Sequence, residues 1–448
     1  MTHIKIRKGH NIKITGTPDG DLQIAPNTSV VALNPFEFNY IKPKLLVNEG
    51  DQVLLGSPLF FDKRNPNIKW GSPGAGVVKS INYGERRSIR RIEIELNKIE
   101  DSIPIPDIPN PNSPDFTIEK IKEILFETNF WPHFRQRPFN KVVNPDDTPI
   151  NIFVSGINTS PLGVDYEIAY SESLDLINAG LKVLTKLTSG KVHFTTRKNS
   201  QLTIATDDQI TSHTITDLHP AGNVGIQLHH IDPLKPGVKI WTINIQSVVI
   251  LGKLFLNGVL DLTTVVAVGG PAVKRPVFYK TRMGASFKSL LSDQLKNDKY
   301  RIIDGDILTG RSSGTYGFIG FYNSTISVLP IDEHKPFLGW LQPGSSKKTY
   351  SLANTFLGRN KTFSFSTKQN GSLRSIVPIN AWESVLPMNI LPNPLYRSIL
   401  ANDPEEMEKL GLIECDDEDF ALCSFACPSK IDVGAVIRQG LDILEKES

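Results

Sequence analysis

The chain has 448 residues, 39% hydrophobic and 21% charged, with 33 glycines and 31 prolines; at about 150 residues per domain it predicts roughly three domains rather than one core. A net charge of +2 gives no global field for nucleic acid or an acidic membrane, and three cysteines are no disulfide framework and fit a reducing compartment. The N-terminus, MTHIKIRKGHNIKI, has no apolar signal core, and the most apolar stretch, Ile240 to Gly270, is broken by Gln246, Lys253, Asn257, Gly258 and Asp261, short of the roughly 20 apolar residues of a membrane span.

Residues 1–102 read as β structure. Glu49 to Phe60 (EGDQVLLGSPLF) holds two turns and two short apolar runs, and Ile92, Ile94 and Leu96 alternate with Glu93 and Glu95 as in a half-buried strand. The pattern resembles the lipoyl/biotinyl barrel, where E-G-D-x-V-x-x-G-x-P-L is a familiar run. Asp62-Lys63 falls near the carrier lysine of such modules. Arg64-Asn65-Pro66-Asn67 is expected to extend the turn past it, so Lys63 is read as an unmodified turn residue. A proline-rich spacer, Ile103 to Pro114, follows.

From 115 to 257 helices and strands alternate. Thr117–Thr128 predicts a helix and Ile150–Ile157 a buried strand. Leu174, Ile177, Leu181, Leu184 and Leu187 mark an amphipathic helix with Gly190 as its close, and Val192–Thr195 and Trp241–Ile245 mark further strands. This order predicts a Rossmann-like α/β layer. Residues 260–330 return to short strands (Thr264–Val268, Val277–Thr281, Arg301–Ile303) around a helix at Ser286–Lys296, compatible with a β-grasp module. Residues 331–394 read as irregular β structure, and 395–448 as helical.

Chemistry-bearing motifs are incomplete. Cys423, Cys427 and Pro428 form C-x3-C-P with Cys415 eight residues earlier, but a cubane cluster needs four thiolates and the chain has three. They read as small buried cysteines of a helical cap. His219-Pro220-Ala221-Gly222 and His229-His230 form the densest polar cluster. Adjacent histidines on a strand would face opposite sides, and the 219–222 loop is either a structural or a ligand-facing turn. No Walker loop or H-E-x-x-H occurs.

Taken together, the segments resemble the A-subunit family of the bacterial Na+-translocating NADH:quinone reductases. The likeness is carried by Thr15–Pro18, Glu49–Phe60, Gly84–Arg87, Arg135–Val142, Leu218–Gly222, Leu251–Gly258, Met283–Ser286, Leu338-Gly339-Trp340 and Glu418–Pro428. That family in turn resembles the Rnf C subunit and the NADH-binding subunit of complex I. Those relatives carry a G-x-G-G-A-G-F-P flavin loop before the first Rossmann strand. Here Phe130–Asn140 (FWPHFRQRPFN) stands there with no glycine; Arg135 and Arg137 could attract a phosphate, but bulky side chains oppose close backbone approach.

The fold this implies is an α+β/α/β multidomain chain: a barrel-sandwich module (1–102), a Rossmann-like α/β domain (115–257), a β-grasp (SLBB-like) module (260–330), an irregular β region (331–394) and a helical C-terminal domain (395–448). The function it implies is that of a peripheral subunit on the cytoplasmic side of the bacterial inner membrane. Its partners would be the B, C, D, E and F subunits, chiefly the membrane-embedded B subunit. The complex, EC 7.2.1.1, oxidises NADH, reduces ubiquinone and exports Na+, using FAD, FMN, riboflavin and iron–sulfur centres in other subunits. No catalytic, cofactor-binding or metal residue is expected in this chain, and no nucleic-acid partner. His219, Gly222 and His230 are the candidate quinone or partner contacts. The competing readings are an independent flavin-dependent NADH dehydrogenase like the complex I relative, and a lipoylated or biotinylated carrier.

Overall fold

The structure is a computed structural model that describes residues 2–111, 113–296, 299–334, 338, 344, 350–352 and 361–447. Most of the Leu338-Gly339-Trp340 run, and most of 335–360, lie outside the described residues.

Two small sheets form the barrel. One orders Val30–Leu33, Ile89–Leu96, Gly76–Tyr83 and Gln52–Val53; the other orders Pro43–Leu45, Pro58–Asp62 and Asn65–Gly71. The alternation seen in the sequence buries Ile92 and Ile94 completely, opposite Leu33 and Val31. Phe60 and Trp70, both fully buried, stack at 4.7 Å between ring centroids. One expectation fails here. Asn65 pairs with Asp62, so Lys63-Arg64 is a tight two-residue turn with Lys63 exposed at its tip. Asn65-Pro66-Asn67 read as loop chemistry, yet strand pairing absorbs it, while the Arg64 guanidinium folds back onto the Tyr40 carbonyl at 2.8 Å.

The first 24 residues pair elsewhere. Thr2–Ile4 lies parallel to Ile210–Ile215, and Leu22–Ile24 parallel to Val277–Arg282. The spacer after residue 102 has no regular structure, but Ile103, Ile105 and Ile108 pack onto the main core.

A seven-stranded sheet orders Thr2–Ile4, Ile210–Ile215, Val192–Arg197, Ile152–Ser155, Ile240–Asn244, Arg135–Arg137 and Lys141–Val142. Its first five strands are parallel and its last two antiparallel. The apolar stretch from Ile240 resolves into strand, helix and strand. Asn244 ends the strand and caps helix Ile245–Asn257, accepting from the Ser247 N–H at 2.8 Å, and left-handed Gly258 ends it. Helix Leu174–Thr185 packs against it through two close backbone approaches. A methyl on Gly180 would meet the Val248 carbonyl, and one on Gly252 the Leu176 carbonyl. Gly190 does not close the first of these helices, which ends at Thr185 with right-handed Lys186 as its cap.

A six-stranded sheet orders Arg311–Ser313, Tyr300–Asp304, Thr325–Pro330, Thr263–Gly269, Val277–Arg282 and Leu22–Ile24. The helix expected over 286–296 is one turn, Phe287–Leu290, capped by Ser286. Asp293 has φ +57°, and Leu295 bridges back to Val273, so the chain leaves the helical path. At the C-terminus, helices Pro392–Ala401, Pro404–Lys409, Ala421–Ala426 and Val433–Glu447 share one core with Ile4, Ile6, Ile12 and Ile14 of the first segment.

Candidate functional site

Strand Ile152–Ser155 has parallel neighbours on both sides, one reached through helix Leu174–Thr185 and the other following helix Val224–Ile231. Chain connections therefore diverge at the carboxyl ends of Ile152–Ser155 and Ile240–Asn244, the place where open parallel sheets leave a crevice. A cavity of about 180 Å³ lies there. Ser155, Asn158, His219, Gly222, Asn223, Thr242 and Asn244 line it from the sheet side, Asp306, Thr309, Tyr322 and Asn323 from the next module, and Glu418 from the helical cap.

The structure brings His219 and Gly222 together here. His219 is 3% exposed, joined to Pro220 by a cis peptide, and its Nδ1 lies 3.2 Å from Thr159 Oγ1. Its Nε2 has no hydrogen-bond partner. Burial lowers its pKa to about 4 against the opposing field of Asp306, so the ring is neutral near pH 7. Gly222 donates its N–H to Thr159 Oγ1 at 2.9 Å, and its carbonyl accepts from Ser155 Oγ at 3.0 Å. A Cβ on Gly222 would lie 2.6 Å from the Thr159 nitrogen, so only glycine fits the turn.

His230 is placed elsewhere. His229 and His230 sit at the end of a helix, Val224–Ile231, not on a strand. His229 Nε2 accepts from the Asn389 N–H at 2.9 Å, which leaves its Nδ1–H to donate to Glu414 Oε2 at 2.7 Å. His230 Nε2 donates to the Pro387 carbonyl at 2.8 Å. Both rings tie down the C-terminal segment.

The arginines of Phe130–Asn140 have different fates. Two residues apart on a strand, they share a face. Arg137 is 2% exposed; its Nη2 lies 3.0 Å from Asp416 Oδ2 and 2.9 Å from Glu418 Oε1. Arg438 adds a bond to Asp416 and one of 2.6 Å to Asp417. Burial pushes the Asp416 carboxyl up, but the two guanidiniums overcome it and hold it at about 2. Burial instead pushes the Asp419 carboxyl well above the usual range, and with the Asp416 charge it raises Asp417 to about 7. Arg135 opens on the cavity, its guanidinium 4.7 Å from the Tyr322 ring centroid. Asn244 caps its helix through its side chain, while Asn223 holds the N-cap position of Val224–Ile231 and donates its amide to the Glu418 carbonyl at 3.0 Å; both carried a sequence signal, an Asn just before an apolar run.

The three cysteines are free and buried. Burial raises the pKa of Cys415 and Cys423, whose thiols lie near the carbonyls of Gly411 and Trp382. Among the described residues no group of three or more His, Cys, Asp or Glu could hold a metal ion, and no helix is long and apolar enough to cross a membrane.

Comparison with known proteins gives three family matches: the NqrA N-terminal barrel-sandwich hybrid domain over 4–97, the NqrA second alpha/beta domain over 116–260, and the NQRA C-terminal domain over 265–314. Among curated proteins, the A subunit of the Na(+)-translocating NADH-quinone reductase of Yersinia pestis bv. Antiqua (strain Angola) is 37% identical over 448 residues, covering 99% of this chain and 100% of its own. Its namesake from Pseudomonas aeruginosa (strain UCBPP-PA14) is 36% identical with the same coverage. Among solved structures, a chain of an NAD+-reducing [NiFe]-hydrogenase aligns over 68% of this chain and 56% of its own, at 10% identity and a TM-score of 0.36, too remote to inform the fold. With three domain models matched in order and relatives aligned end to end, the chain belongs to the NqrA family, the A subunits of Na+-translocating NADH-quinone reductases.

Proposed function

We propose that this chain is a peripheral subunit of a Na+-translocating NADH:quinone reductase, on the cytoplasmic side of the bacterial inner membrane, seated chiefly on the membrane-embedded B subunit. In this reading it contributes assembly and contact surfaces and no redox centre of its own. Flavins and iron–sulfur centres in the other subunits carry electrons from NADH to ubiquinone. The observation that carries the reading is the absence of a flavin loop at the crevice. Where the resemblance places a glycine-rich flavin loop, residues 135–137 form a strand bonded to Ile240–Asn244, and Trp131, Phe134 and Arg137 are buried. The remaining cavity of about 180 Å³ is below the roughly 300–1,000 Å³ of organic-cofactor pockets. The residues present do not fit a flavin.

The parallel layer supports a Rossmann-like description, and the 260–330 strands support a β-grasp one. For quinone, the free Nε2 of His219 is the feature in favour of a carbonyl contact. The serines, asparagines and threonines around it speak against the apolar slot that a quinone ring needs. Deleting the chain tests the proposal: quinone reduction by the membranes should be lost while NADH oxidation by artificial acceptors survives. A purified chain that releases flavin on denaturation would sink the assembly reading and favour an independent flavin-dependent dehydrogenase. A mass above that of the sequence would reopen Lys63 as a carrier residue.

A further inference from the structure

The geometry points to the cavity at the strand ends as a binding site for a small organic anion, a carboxylate or phosphate of a size near malonate, gripped by Arg135. Four observations converge. Arg135 is a half-buried cation in the lining with no ion-pair partner among the described residues; its contact is the face of Tyr322 at 4.7 Å. A planar guanidinium backed by an aromatic ring presents its fork to a carboxylate or phosphate.

The carboxylates that share the cavity are already engaged. Glu418 Oε1 is bonded to Arg137 at 2.9 Å, and Asp306 accepts from the Leu308 and Thr309 N–H groups at 2.6 and 3.1 Å. Glu418 is thus met by a cation; Asp306 keeps its negative charge, held by those amides and the Thr309 hydroxyl, so the side of the cavity that attracts an anion is the one with Arg135 and the helix ends.

Helices Val224–Ile231 and Ile245–Asn257 both begin at the lining, at Asn223 and Asn244, so the positive ends of two helix dipoles converge on it. His219 lines the same space with a ring nitrogen, Nε2, that no protein group satisfies although the residue is 3% exposed. A buried polar atom without a partner calls for one.

Size fixes the scale of the ligand. A cavity of roughly 150 Å³ takes benzene, so about 180 Å³ admits a small dicarboxylate or phosphate ester and excludes a dinucleotide. Residues of the parallel sheet, the following module and the helical cap all reach it, so the anion would bridge three parts of the chain.

The test is titration of the purified full-length chain with sodium malonate and, separately, inorganic phosphate, against sodium chloride at equal ionic strength. Calorimetry and thermal unfolding are the readouts. Saturable binding of either anion with a rise in unfolding temperature supports the site, and the stronger arm names the anion class. Arg135→Gln should weaken that binding about tenfold or more, the loss of one charge-assisted hydrogen bond. No response beyond that of chloride, or equal affinity in Arg135→Gln, overturns the proposal. Should that variant not fold, hydrogen exchange on the wild-type chain decides. Anion-dependent protection confined to peptides covering 135, 219–224 and 242–246 supports it, and protection elsewhere or none overturns it. The result is independent of the assembly reading, which rests on activity of the complex.

Discussion

Replacing Arg137 with methionine should release the helical cap while leaving the barrel intact. Methionine keeps the apolar stem but removes the charge that holds Asp416, Glu418 and Asp419 at 3.0, 2.9 and 3.8 Å. Asp416 and Asp419 have fully buried side chains. Removing one partner of a buried ion pair costs about 3–5 kcal/mol. Two features place this case at the low end: Asp416 keeps its bond to Arg438, and Asp419 lies 3.8 Å from the guanidinium, beyond hydrogen-bond reach. A loss of about 3 kcal/mol is roughly a hundredfold in the local opening equilibrium. Hydrogen exchange of the Val433–Glu447 amides reads it directly. Their protection should fall by about two orders of magnitude while strands Gly76–Tyr83 and Ile89–Leu96 are unchanged. Unchanged protection in the last helix, or an even loss across the barrel, would refute the claim that this cluster is the cap's anchor.

Gly252→Ala should lower the unfolding temperature sharply, because the new methyl lands on the Leu176 carbonyl between two packed helices; about 2 kcal/mol or more is expected, and a neutral outcome in thermal unfolding would show that the helices can separate. Asp304→Asn should stabilise the chain more at pH 8 than at pH 5. Burial, and next the Glu37 carboxylate, raise Asp304 from an ordinary 3.8 to about 7. A carboxyl with a raised folded pKa favours folding below its unfolded value and loses that contribution as pH rises through about 7, at a cost on the order of a few kcal/mol. Equal effects of Asp304→Asn at the two pH values in thermal unfolding would contradict that sign. The intact mass of the purified chain should equal the sequence mass, leaving Lys63 unmodified.

Much of the fold was legible because its signals are local. The period-two run at Ile92 to Leu96 and the helical spacing from Leu174 onward state which face is buried, and the structure buries it. What was missed depends on partners far away. Asn65-Pro66-Asn67 has turn composition, but pairing with Pro58–Asp62 overrides it. The apolar run from Ile240 hides a strand-to-helix change because both elements are buried on all sides and neither shows a period. His229-His230 sit on two turns of helix, too short for a pattern. At the site, sequence marked His219 and Gly222 but could not tell Arg135 from Arg137. Nothing in R-Q-R says that one meets Asp416, some 280 residues later, and the other meets open space.

The pairing of the first 24 residues sets a timetable for synthesis. Thr2–Ile4 has no sheet to join until Ile210–Ile215 has been made, and Leu22–Ile24 none until Val277–Arg282 has been made. The barrel strands between them are all made by residue 96 and pair with one another, so those two sheets can form before either partner strand exists. The nascent chain therefore carries a finished module with an unpaired leading strand for the time it takes to translate well over a hundred further residues. Such an exposed edge is the segment through which two nascent copies could pair wrongly, and the charged residues Lys5, Arg7 and Lys8 beside it are well placed to discourage that.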